Sequence, residues 1–98
     1  MGKSVAETIL EQMGGYNKLR AMVGAHSFVG GSDCLRFGYA GKVKRCIIIL
    51  TPDDLYTMRL WEIRKGGLDC KLVYEQERLF ADSLREVFEA QTGLVLSL

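Results

Sequence analysis

The apolar positions of the first 24 residues predict two short helices. Ser4 followed by Glu7 forms a capping box, and apolar residues recur behind it at helical spacing. Gly14 and Gly15 predict the end of the first helix, because glycine adopts the left-handed cap conformation at little cost. A second stripe ends near Gly24 and predicts a second short helix; it consists of Tyr16, Leu19, Met22 and Val23.

The middle of the chain has the two-residue period of strands. Apolar side chains alternate with Arg36 and Gly38 over 35–39, and the run RCIIIL at 45–50 is apolar on both sides, which is typical of a central strand. We expect a further strand over 70–74, after a turn at Gly66-Gly67. Residues 25–33, with Gly30-Gly31-Ser32, are predicted as a loop.

The segment TPDD at 51–54 fits either a helix start or a type I turn. We favour the turn, followed by a strand over 54–63. Tyr56, Met58 and Leu60 fall on one side of a strand, whereas a helix would leave Tyr56, Leu60 and Ile63 scattered.

The clearest helical pattern covers about 76–92, where Leu79, Phe80, Leu84, Val87, Phe88 and Gln91 mark one face. Gly93 is the expected left-handed cap, and Leu94 can complete its hydrophobic contact. The element order ααββββα predicts a single α+β domain over 1–98. We expect a four-stranded antiparallel meander with the N-terminal helices and the C-terminal helix on one face.

Composition narrows the class of protein. The 98 residues are 48% apolar and 26% charged, which is ordinary for a globular domain and excludes a disordered tail. The sequence has no run of 18 apolar residues, so we expect no membrane span. It shows no leader pattern, so we expect no signal peptide. An odd number of cysteines without a leader favours a reducing cytoplasm.

The residues with candidate chemistry do not form a recognisable catalytic or metal motif. Three cysteines and His26 could supply a zinc site by count, but the paired spacing of zinc ligands is missing. We interpret His26 as a loop-packing residue, Asp53-Asp54 as part of a turn, and Gly14-Gly15 and 30–32 as a helix end and a loop. We therefore expect no catalytic residue, cofactor or metal, and we expect the cysteines to be small core residues: Cys34, Cys46 and Cys70.

The strand pattern leaves apolar side chains on the second face of the sheet. If Cys46, Ile48 and Leu50 face the helices, other apolar residues point outward: Ile47, Ile49, Trp61 and Val73. Such a face favours association with a second copy, so we predict a homodimer through the sheet. In the alternative, the tail 94–98 covers this face.

Charge is unevenly distributed although the net charge is only +1. Residues 36–71 carry eight Lys or Arg and four Asp or Glu, whereas 72–98 carry two and five. Because the basic segment also contains aromatics, a second hypothesis is nucleic-acid binding, with cations on phosphates and aromatics on bases. The candidate contacts are Arg59, Trp61, Arg64, Lys65 and Lys71.

Several stretches resemble a family of small proteins encoded by phages and prophages. They are ILEQMGG at 9–15, MVGA at 22–25, LRF at 35–37, LTPDDLY at 50–56, IR at 63–64, and FEAQTGL at 88–94 with the final Ser97-Leu98. The resemblance covers nearly the whole chain and implies a phage protein acting in the bacterial cytoplasm, with a phage or host protein as a further candidate partner. It also implies a strand through 54–63, and it brings no catalytic residues with it.

Overall fold

A computed structural model of the chain describes residues 4–41, 44–64 and 69–94. Its elements are α1 (Val5–Gln12), α2 (Tyr16–Val23), β1 (His26–Gly30), β2 (Cys34–Tyr39), β3 (Lys44–Leu50), β4 (Tyr56–Arg64), β5 (Asp69–Leu79) and α3 (Leu84–Thr92). The strands form one antiparallel sheet in chain order, β1-β2-β3-β4-β5. The α+β class and the meander are confirmed, but the predicted strand count of four is wrong.

The missed strand is β1, which lies in the segment predicted as a loop. Its pairing with β2 shifts between His26 and Val29, and Ser27 has a positive φ of 56°. This irregularity breaks the alternation that identifies a strand in a sequence, and Gly30 next to Gly31 adds a loop signal. β1 is short and lies at the edge of the sheet, where its far side has no strand partner among the described residues.

The predicted helix over 76–92 is wrong in its first half. β5 continues to Leu79, which pairs with Tyr56 and is buried, and a 3-10 turn at Ala81–Ser83 precedes α3. The partner Tyr56 lies on the preceding strand, 23 residues earlier in the chain, so a local stripe cannot reveal this pairing, and the pairing decides the boundary. The C-terminal end matches expectation, with Gly93 in the left-handed conformation (φ 74°) and Leu94 against the core.

Two local predictions are confirmed by hydrogen bonds. The Ser4 hydroxyl accepts from the backbone N–H of Glu7 at 3.2 Å, which caps α1. The segment 51–54 is a turn, because the Asp54 N–H donates to the Thr51 carbonyl at 3.0 Å. The residues after it form β4, so the strand interpretation of that segment is correct.

The helices cover one face of the sheet and bury its apolar side chains. The aromatic centre of this core is Phe88 of α3, whose ring centroid lies 5.1 Å from that of Tyr39 and 5.9 Å from that of Phe37. Burial, with smaller contributions from Cys46 and Glu62, raises the pKa of Tyr39 to about 12. No helix within the described ranges is long and apolar enough to cross a membrane.

Candidate interaction surface

The second face of the sheet, which the helices do not cover, is called the open face below. Cys46 and Ile48 are fully buried under the helices, so the alternating residues of β3 project the other way. Directly paired residues of neighbouring strands share a face. The register therefore assigns to the open face His26, Val29, Cys34, Arg36, Gly38, Arg45, Ile47, Ile49, Thr57, Arg59, Trp61, Ile63, Cys70, Leu72 and Glu75.

A hollow of about 500 Å³ crosses the open face. Its lining includes Val29 of β1 and Cys70 of β5, which are the two edge strands, with Ile47 on the central strand between them. Four strand spacings of about 4.8 Å separate the edges, so the hollow extends over roughly 19 Å, the width of the sheet. Its remaining lining is mainly apolar, with Trp61 and Ile63 at the β4 side.

Trp61 contains an unsatisfied donor. Its indole Nε1 is buried and has no hydrogen-bond partner among the described residues. A buried donor without an acceptor costs about 1–3 kcal/mol, and such groups are rare enough in native proteins to need an explanation. Trp61 therefore lines the hollow while its indole N–H donates to no acceptor among the described residues.

The arginines of the open face differ in their partners. Arg59 forms an ion pair with Glu75, its neighbour across β4 and β5. Arg45 donates to the Lys44 carbonyl at 3.3 Å, and Arg36 has no ion pair among the described residues. Gly38 makes room for this arrangement, since a Cβ there would collide with the Arg45 guanidinium and the His26 ring. The hollow is thus apolar at its floor and cationic at Arg36 and Arg45.

The residues predicted for self-association come together with one exception. Ile47, Ile49 and Trp61 lie on the open face, as the alternation indicates. Val73 does not join them, because a shift in the β4–β5 pairing places Leu72 opposite Trp61. Val73, which is 50% exposed, lines a different hollow with Tyr39, Tyr74 and Thr92. A β-bulge of this kind cannot be read from alternation alone.

The residues predicted for nucleic-acid contact are divided between the two sides of the sheet. Arg59 and Trp61 share the open face. Arg64 is ion-paired with Glu62 at 3.1 Å, and Lys71 lies opposite that same glutamate, which alternates with Trp61 and so points to the other side. Lys65 lies outside the described residues. The sequence interpretation missed Arg36 and Arg45, although their alternation with buried neighbours was a usable signal.

The remaining candidate groups have structural partners. The His26 ring bonds to the Gly41 carbonyl at 2.6 Å through Nε2 and to the Ser27 hydroxyl at 3.0 Å through Nδ1. The Asp53 carboxylate accepts from the Thr51 hydroxyl within the turn, and this bond lowers its pKa. Within the described part of the chain, no three His, Cys, Asp or Glu residues are grouped to hold a metal.

The prediction that all three cysteines are core residues is correct for Cys46 but wrong for Cys34 and Cys70. Cys46 is fully buried, and burial raises the pKa of its thiol. Cys34 is only partly buried and Cys70 is exposed on the open face. Cys70 belongs to an edge strand and stands between Asp69 and Lys71, so no apolar run in the sequence indicates its burial. The turn predicted at Gly66-Gly67 lies outside the described residues.

No family model, curated protein or solved structure matches this chain.

Proposed function

We propose that this chain is a non-catalytic protein-interaction module that self-associates through the open face. The observation that carries the proposal is the apolar hollow across a sheet face that no helix of the described residues covers. Residues 95–98 of the tail named in the alternative lie outside the described residues. Single exposed apolar residues are common on monomers, but this set is contiguous across strands and includes Leu72 at 40% exposure. Antiparallel sheets that are apolar on both faces normally have both faces packed.

Light scattering tests the proposal. We expect a mass of about twice 11.0 kDa, and Ile49→Lys should shift it towards the monomer by placing a charge on the open face. Asn17→Lys is a matched control, since it adds the same charge at an exposed position of α2, which packs on the other side of the sheet. A monomer at all concentrations, unaffected by Ile49→Lys, would contradict self-association.

A second candidate function is nucleic-acid binding on the same face. It is supported by Arg36 and Arg45, which carry no ion pair among the described residues and line a hollow with Trp61. It is weakened by the glutamate partners of Arg59 and Arg64. Fluorescence anisotropy with single-stranded DNA and RNA at low salt tests it, and Arg36→Ala with Arg45→Ala should weaken binding and reduce its salt dependence. Unchanged anisotropy at every protein concentration would exclude it.

The phage resemblance remains part of the proposal. We infer that the chain acts in the bacterial cytoplasm and is encoded among phage or prophage genes. The gene neighbourhood tests this directly. Flanking genes with no phage content, in strains that carry the chain, would contradict it.

A further inference from the structure

Phe80 is the most exposed large apolar residue described, at 64% exposure. It follows Leu79, which is buried under the helices, and its backbone is extended (φ −79°, ψ 153°). Successive side chains of extended backbone point to opposite sides, so Phe80 projects towards the side of the open face. An exposed phenyl ring at the end of a strand is a ready contact for an apolar hollow.

The charges around Phe80 and around the hollow are complementary. Within three residues of Phe80 the chain carries two exposed carboxylates, Glu77 and Asp82, against one exposed cation, Arg78, so this surface is acidic by one charge. Arg36 and Arg45 line the hollow without a carboxylate partner among the described residues. Opposite charge on the two surfaces favours the pairing of Phe80 with the hollow over the pairing of two hollows, which would bring like charges together.

The positions of the two features along β5 suit a twofold axis. Cys70, at one end of β5, lines the hollow, and Phe80 follows the other end, about 30 Å away at the rise of a strand. When two copies face each other with their β5 strands antiparallel, each Phe80 lies over the hollow of the partner. The contact closes after two copies, so it produces a dimer and not a fibre.

We propose that Phe80 of each copy inserts into the hollow of the other, near Trp61, Ile63 and Cys70. This inference rests on the proposed self-association and specifies its geometry. It also accounts for the exposure of Phe80 and of Cys70, which are both covered in the dimer.

The test measures the dimer dissociation constant by sedimentation or dilution light scattering. Phe80→Ala removes both inserted rings from the dimer and should weaken it by about 10²-fold or more. It changes an exposed side chain, so the fold should be kept, and a circular dichroism melt verifies this. Tyr16→Ala is the matched control, because Tyr16 is an exposed aromatic (46%) on α2, away from the hollow.

A mixing experiment tests the pairing of ring and hollow. Ile63→Lys blocks the hollow but keeps Phe80, whereas Phe80→Ala keeps the hollow. Each variant alone should be mainly monomeric. Their equimolar mixture should form a heterodimer through one intact contact, weaker than wild type but tighter than either variant alone.

Chemical modification of Cys70, which lines the hollow, tests the same contact without the Ile63→Lys substitution. In a Cys34→Ser background, modification of exposed Cys70 with a bulky maleimide should also dissociate the dimer. A wild-type dimer that Phe80→Ala leaves equally tight would overturn the insertion and leave self-association standing. A wild-type monomer would instead overturn the proposed function itself.

Discussion

The two faces of the sheet use the same strands in opposite ways. On the covered face, Ile48 and Phe37 are almost completely buried against the helices. On the open face, Ile47 is only partly buried and shares the surface with arginines. The covered face is therefore closely packed and apolar, as a hydrophobic core is. The open face combines apolar side chains with arginines, as protein interfaces do.

This difference separates stability from association. A substitution on the covered face removes contacts that exist in one chain, so it should change the free energy of unfolding. A substitution on the open face should change mainly the dissociation constant. Ile47 and Ile48 are adjacent in β3, so the comparison can be made between two residues of one type.

The largest expected difference between the faces is in thiol reactivity. In a Cys34→Ser background, exposed Cys70 should react at once with a thiol reagent under native, dilute conditions. Cys46 is fully buried and should react only through unfolding, on the order of 10³-fold more slowly or beyond. Mass spectrometry of the labelled protein over time measures both rates. Comparable rates would mean that the covered face is open to solvent.

Phe88→Ala should have the largest effect on stability. The ring is fully buried between Phe37 and Tyr39, so its removal leaves a cavity that costs about 3–5 kcal/mol. Urea denaturation followed by circular dichroism measures the loss. Phe80→Ala is the control with an exposed ring, and an equal loss in both variants would contradict the burial difference.

The neighbouring isoleucines should respond differently to truncation. Ile48→Ala should lower the free energy of unfolding by about 2–5 kcal/mol, because its side chain is completely enclosed. Ile47→Ala, measured at a concentration where the chain is monomeric, should cost clearly less. Denaturant melts of the two variants make the comparison. If Ile47→Ala lowered the free energy of unfolding more than Ile48→Ala does, the Ile47 side chain would have to be buried in the monomer, which would contradict an open face.

Of these interactions, the Arg59–Glu75 ion pair should contribute least to the free energy of unfolding. Both side chains are more than a third exposed, and exposed pairs contribute about 0.2–1 kcal/mol. A double-mutant cycle with Arg59→Ala and Glu75→Ala measures the coupling free energy, which should fall further in high salt. A coupling above that range would show that the open face is better shielded than its exposure indicates.

The sequence predicts features that depend on local patterns. The cap at Ser4, the turn after Thr51 and the outward alternation of Ile47 are all local, and the structure agrees with each. The errors occur at irregular pairing: β1 was missed where Ser27 interrupts the alternation, and Leu72 replaces Val73 at a bulge. Bulges depend on the partner strand, so a single strand's pattern cannot reveal them.

The boundary between β5 and α3 shows a second limit. The stripe from Leu79 to Phe88 fits a helix, yet Leu79 is held in the sheet by Tyr56. Pairing with β4 outweighs the helical spacing, because it both provides hydrogen-bond partners for the backbone groups of β5 and buries the Leu79 side chain. The same boundary leaves Phe80 exposed, so the wrong boundary falls beside the residue that the proposed dimer geometry depends on.

The most direct test of self-association through the open face is the mass of the chain in solution. Light scattering across a dilution series should give about twice 11.0 kDa at high concentration, and Ile47→Lys should reduce it to the monomer mass while the thermal melt stays cooperative. A mass of 11.0 kDa at every concentration, or a dimer that Ile47→Lys leaves intact, would contradict it.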